Sequence, residues 1–162
     1  MKKESFEDIV SDILNNDKFD QLKYELHHGI TRYDHSLRVA RATYKICNML
    51  RIKKTNEIVR AAALHDFYTD SDLGKLKEKE KLIIHPLQAS QNAIDLFNIN
   101  EYQQNIIESH MFPLKGAKPN NIGSVIVTTS DKVVATYEMS RFKLALATNT
   151  MLILLFFWIS KE

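Results

Sequence analysis

The scarcity of turn residues constrains this chain most. Only four glycines and three prolines occur in 162 residues. A β-rich chain of that length uses far more of both in its turns. Apolar residues recur instead at helical spacing, so an all-α fold is expected. Ser5, with Asp8 three residues later, reads as an N-cap, and Phe6, Ile9, Val10, Ile13 and Leu14 follow at that spacing. A second short segment covers 19–26 and breaks at His27-His28-Gly29. Asp34 opens a long helix with Leu37, Val39, Ala40, Tyr44, Cys47 and Leu50 on its apolar face. Thr55 caps another, which carries Ile58, Val59, Ala62 and Ala63 into His65-Asp66. The polar stretch 70–81 reads as a loop or an exposed helix. Pro86 suits the first turn of a helix that reaches Phe97, and a further helix covers 101–110. Pro113, Gly116, Pro119 and Asn120-Asn121 mark a loop, and Ile122 starts the helix that holds Asp131.

This length fits one domain with a real core. A net charge of +2 is too small to argue for specific nucleic-acid binding or an anionic membrane. The single cysteine, Cys47, cannot form an internal disulfide and reads as a small core residue, which fits a reducing compartment. Near the start, Ile9-Val10 is followed at once by Ser11 and Asp12, so no signal-peptide core is expected and a cytoplasmic location follows as an expectation. The other end is unusual. Residues 151–159 are nine uninterrupted apolar positions, and extension back to Leu144 meets Thr148-Asn149-Thr150. A spanning helix needs about 20 apolar residues. Residues 144–162 are therefore expected to form a C-terminal helix that packs on domain 1–143 or makes a homodimer contact, without entering a membrane. Arg141 and Lys143, just before the run, keep an anchor as the alternative.

Four of the six histidines fall near helix ends with polar neighbours. The centre is His65-Asp66. Adjacent helical residues diverge by about 100°, so both reach one metal only if it lies beside the helix end. A carboxylate there can give one oxygen to each of two ions. Imidazole with carboxylate suits Fe, Mn, Co, Ni or Zn without selecting among them. Alone, the dipeptide reads rather as a His bonded to a helix C-terminus with Asp as a cap. Two other segments change that: His35 within 32–40, and Asp131 within 130–135 on an otherwise apolar helix face. An ionised Asp among Val and Ile is costly, and a metal or cationic partner relieves it.

A His, then a His-Asp pair, then a late Asp, in this order, resembles the HD superfamily of metal-dependent phosphohydrolases over roughly residues 28–140. The resemblance implies an HD-domain helical bundle of about six to eight helices. It also implies a divalent metal (Fe, Mn, Co, Ni, Zn or Mg) held by His35, His65, Asp66 and Asp131. His85 and His110 resemble the extra ligands of dinuclear members and would hold a second ion with Asp66. His27 and His28 have no such place and read as structural. Cyclic-dinucleotide phosphodiesterases of the superfamily often follow the pair with Ile-Gly-Lys and carry two adjacent late histidines. Here Phe67-Tyr68-Thr69 follows, and Ser109 and Met111 flank His110. The ligand set looks more like the bacterial members that split dinucleoside polyphosphates, so the substrate implied is a small phosphorylated molecule such as a nucleotide or dinucleotide.

Several residues around this set have two readings. Arg38, three residues after His35, either grips a phosphate bidentately or pairs with a surface acid. Lys115 and Lys118 either contact substrate phosphate or are solvated. Asp70 either orients the catalytic water beside Asp66 or caps a helix. The charged run 75–81 is a solvated connector or a lid. Two other functions share the same ligands: a di-iron oxygenase of HD type, and a non-catalytic sensor that binds metal or nucleotide.

Overall fold

In the computed structural model, which describes residues 4–27 and 29–159, local capping sets most helix starts. Helix α1, Phe6–Leu14, begins at a capping box: Ser5 Oγ accepts from Asp8 N, and the Asp8 carboxylate accepts from Ser5 N. A short helix α2, Asp17–Asp20, is capped by Asn16 and runs into one 3₁₀ turn, Gln21–Tyr24. The expected break at 27–29 is a tight hairpin of two antiparallel strands, β1 (Leu26–His27) and β2 (Ile30–Thr31). Gly29 turns it at φ +87°, and an added Cβ would lie 2.4 Å from the Phe142 ring.

Helix α3, Arg32–Met49, starts two residues earlier than expected. Thr31 rather than Asp34 is its cap, and Thr31 Oγ accepts from Asp34 N. Helix α4, Thr55–Ala63, likewise begins on Thr55 instead of being capped by it, and the Thr55 hydroxyl donates back to the Ile52 carbonyl. The 70–81 stretch divides into a one-turn helix α5, Asp70–Leu73, and the start of α6, Glu78–Phe97. Pro86 therefore lies well inside α6 and not in its first turn. Lys77 and Glu80 form the cap there and set the helix start eight residues upstream of the proline. Helix α7, Glu101–Ser109, is capped by Asn100 and Gln103. The loop after it leads to α8, Ile122–Ile159.

Among the described residues these are eight α-helices around one core, as an all-α HD-type bundle requires. Helix α3 packs against α4 and α8, α4 against α7, and α1 closes over α4. Val10, Ile13, Phe19, Val39, Ile58, Leu64, Phe67, Ile106 and Val127 are buried, and Cys47 sits among them as the expected core residue. Gly123 lets α8 approach: a Cβ there would meet Ile106, Ile58 and Tyr102 inside 3 Å.

As far as residue 150, the last buried residue of α8 is Glu138, and residues 141–150 are exposed. Residues 151–159 continue the helix, but their side chains lie outside the described set, as does His28. Among the described residues no helix is long and apolar enough to cross a membrane.

Candidate metal centre

Helix α4 ends at Ala63, and the chain turns so that His65 and Asp66 hang below its last turn. Phe67 anchors the turn. Its ring is fully buried between Phe19, 5.9 Å away, and Phe97, 5.5 Å away. Two side chains from elsewhere hold the backbone beyond it: Asn92 of α6 donates to the Phe67 carbonyl at 2.9 Å, and Arg32 of α3 donates to the Tyr68 carbonyl at 3.0 Å. The first turn of α3 brings His35 to this point, α6 brings His85, the end of α7 brings His110, and α8 brings Asp131. All six side chains, from five different places in the chain, are buried.

They form two groups that share Asp66. His35, His65 and Asp66 offer ligand atoms within 4.8 Å of one another, and so do Asp66, His85 and His110. Asp131 joins the first group: its Oδ1 is 3.1 Å from His35 Nε2 and 3.7 Å from His65 Nε2. Asp66 Oδ2 stands 3.8 Å from His65 Nε2, while its Oδ1 is 3.6 Å from both His85 Nε2 and His110 Nε2. One carboxylate thus offers an oxygen to each side.

The ring orientations show that this set fits cations. His65, His85 and His110 each direct Nδ1 at a main-chain carbonyl: Ala62 at 2.8 Å, Lys81 at 3.0 Å and Ile107 at 2.7 Å. An Nδ1–H donated to a carbonyl leaves a lone pair on Nε2, the usual arrangement of a metal-ligating histidine. The Nε2 atoms of His85 and His110 then face each other at 3.0 Å. Two lone pairs at that distance repel unless a cation lies between or beside them. His65 Nε2 is buried with no hydrogen-bond partner among the described residues. Buried orphan acceptors of this kind are costly, and a metal satisfies them.

The electrostatics of the two groups differ. His35 donates from Nδ1 to Glu138 at 2.8 Å and from Nε2 to Asp131 at 3.1 Å. Burial works against its charge, but these two carboxylates outweigh it and push its pKa up to about 10. The same contacts hold Asp131 well below the usual carboxylate range, although burial alone would raise it. His65 moves up as well: burial opposes the charge, and Asp66 and Asp131 overcome it. His110 goes the other way. Burial drives it down to about 3, against the pull of Asp66, and the neighbouring rings of His65 and His85 add to the fall.

The remaining candidates are dispersed. Asp70 lines the cavity over the ligand set and takes a bond from Arg32 at 3.3 Å. Arg38 turns away from that cavity: its guanidinium bonds Glu138 at 3.1 Å and is half-exposed. Lys115 and Lys118 are exposed on the loop after α7 and do not line the cavity either. The cations that do line it are Arg32, Lys81 and Lys132. Arg32 is buried, stacks 4.0 Å over the Tyr68 ring and bonds Glu25 and Asp70. Lys132 donates to the His110 carbonyl at 2.9 Å. Burial lowers its pKa against the pull of Asp131.

Sequence reasoning passed over Glu138, a buried carboxylate that holds His35. Its signal is its register, since it follows Asp131 by seven residues and so shares that face of α8. Arg32 was visible in the same segment as His35 but carried no distinguishing spacing.

A comparison with known protein families gives one agreement. The HD domain family matches residues 32–136, which cover the two groups and every ligand in them. Neither the curated proteins nor the solved structures contain a match to the chain. The family match spans more than half of the chain, from the first turn of α3 to the part of α8 just past Asp131, and by it this chain belongs to the HD domain family.

Proposed function

We propose that this chain is a metal-dependent phosphohydrolase. In this reading His35, His65, Asp66 and Asp131 hold one divalent cation, and Asp66, His85 and His110 hold a second. The observation that carries it is the position of Asp66, which stands with one oxygen toward each histidine pair. The family is mostly one of metal-dependent hydrolases, which agrees. A pair of divalent cations supplies Lewis acidity toward phosphoryl oxygens and lowers the pKa of water toward neutrality.

The residues of the chain do the rest. Main-chain carbonyls fix the rings of His65, His85 and His110, so the ligand atoms need no rearrangement when a substrate arrives. Phe67, Asn92 and Arg32 hold the turn that carries Asp66. In this reading Asp70, which lines the cavity and takes a bond from Arg32, accepts a hydrogen bond from the attacking water. Lys132, whose Nζ donates to the His110 carbonyl, adds positive charge to the cavity wall.

The test uses the full chain prepared without oxygen and loaded in turn with Mn, Fe, Co, Ni, Zn or Mg. Two ions per chain and anaerobic release of phosphate from an ester or anhydride are expected. Turnover that requires O₂ would mark an oxygenase instead, and metal binding without turnover of any phosphate compound would mark a sensor.

A further inference from the structure

The cavity over the ligand set, about 470 Å³, has a charged floor and an apolar rim. Four side chains that line it are large, apolar and exposed, and each comes from a different element. They are Leu26 of β1 (79% exposed), Leu82 of α6 (51%), Leu114 of the loop after α7 (71%) and Met139 of α8 (38%). Scattered exposed leucines need no explanation, but four around one opening do. Ligand cavities have this build, with an apolar body and a few placed polar groups.

The charges on the walls do not favour a polyanion. Three cations line the cavity against four carboxylates, Asp66, Asp70, Glu78 and Asp131. Each cation is also engaged already: Arg32 with Glu25 and Asp70, Lys81 with Glu78, and Lys132 with the His110 carbonyl. A polyphosphate chain carries at least one negative charge per phosphate, and among the described residues the walls hold no cluster of cations to receive the phosphates beyond the one at the metal site.

A second groove, about 590 Å³, meets this cavity at Lys132 and Thr136. Phe112, Pro113, Val125 and Val133 line it. The hydroxyls of Thr128, Thr129 and Thr136 along it donate to the carbonyls of Ser109, Val125 and Lys132. The groove therefore offers little hydrogen bonding to a nucleobase and much contact to a hydrocarbon.

We propose that the substrate is a single phosphate group esterified to an apolar alcohol, with the phosphate at the floor of the cavity and the hydrocarbon or aromatic body against Leu26, Leu82, Leu114 and Met139. This rests on the phosphohydrolase reading and narrows it away from dinucleoside polyphosphates.

The experiment compares methyl, butyl and octyl phosphate with AMP and diadenosine tetraphosphate, using the Mn-loaded full chain, and measures binding of methyl and octyl phosphonate in parallel. Each methylene buried should raise kcat/KM by about two- to fourfold, so octyl phosphate should exceed methyl phosphate by more than a hundredfold. The double variant Leu82→Ser/Leu114→Ser changes two exposed residues and should flatten the series by tenfold or more, with its circular dichroism spectrum unchanged. A flat series in the wild type, or a tenfold preference for diadenosine tetraphosphate, would overturn the proposal. Chain-length-dependent phosphonate binding with no turnover of any ester would support the cavity assignment and refute the hydrolase reading. Absence of both would refute the two together.

Discussion

The two halves of the metal centre are built on opposite principles. On the side of α3 and α8, His35 lies between two buried carboxylates, Asp131 and Glu138. Burial opposes a charge on the ring, but the two carboxylates favour its proton, and its pKa rises to about 10. On the side of α6 and α7, His85 and His110 are braced only by main-chain carbonyls and face each other at 3.0 Å. Burial pushes His110 down to about 3, so a proton is a poor counter-charge there. The first half has protein counter-charges of its own, although His65 Nε2 lacks a hydrogen-bond partner among the described residues. The second gains its counter-charge when a cation arrives. Asp66 belongs to both groups, so in the proposed reading its loss damages both.

The largest effect should therefore come from Asp66→Ala. Removal of the shared carboxylate should release both ions and lower hydrolysis by at least about 10³-fold, since the Lewis acidity of bound metal is worth several kcal/mol in the transition state. Metal analysis and phosphate release check it together. A variant that kept full metal content and activity would remove the premise that the halves are joined through this residue.

Next comes the double variant His85→Ala/His110→Ala. It should halve the metal content and leave the helical fold intact. It also removes the two opposed lone pairs, so in metal-free protein it should cost less stability than His35→Ala, which leaves Asp131 and Glu138 buried without their partner. Thermal melts of the two metal-free variants decide this. If the double variant melted lower, the second half would not be the strained one.

Glu138→Gln probes the bracing of the first half alone. The carboxylate accepts from His35 Nδ1, which directs Nε2 toward Asp131 and the centre. An amide keeps the shape and loses the charge. Metal affinity of the first half should fall by about 10- to 100-fold, the usual cost of losing a partner behind a ligating histidine. Titration with Co, read from its absorption, should show one weakened ion and one unaffected. Equal weakening of both would mean that Glu138 acts through general stability.

Helix content was legible in the sequence because it depends on local signals, and the candidate ligands were legible because their order along the chain resembles the family. The spacing of Phe6, Ile9, Val10 and Ile13 gave α1, and the order of His35, His65-Asp66 and Asp131 marked the family that residues 32–136 match. What was not legible depends on contacts between distant segments. Pro86 misled because proline favours a first turn, yet the Lys77–Glu80 cap begins α6 eight residues earlier. The hairpin at 26–31 is two residues per strand, too short for any alternation to show. Arg38 and Arg32 look alike in sequence. Only the packing of α8 shows that Arg38 meets Glu138 while Arg32 faces the cavity. Glu138 itself stands between Tyr137 and Met139, and only its seven-residue spacing from Asp131 sets it apart from a solvated acid.

The smallest effect on the centre should follow from the largest change in the chain. Both halves are complete by Glu138, the last buried residue of α8 among those whose side chains are described, and Phe142 still covers Gly29. Truncation after Lys143 keeps all of these. Metal content should stay the same and kcat/KM should change by less than about twofold, within what a surface alteration does. Association should change instead. Leu144 and Leu146 are exposed, at 66% and 59%, and residues 151–159 extend the same helix with nine more apolar positions. Burial of such surface is worth about 25 cal/mol per Å², so a second copy of this helix is the expected cover. Sedimentation should show the full chain as a dimer or larger and the truncated chain as a monomer. If truncation stripped metal from the His35 side, the outer part of α8 would have to be counted within the first half. If the full chain instead stayed with membranes through high-salt and alkaline washes while the truncated chain was released, the run would be an anchor, and the centre would work beside a bilayer.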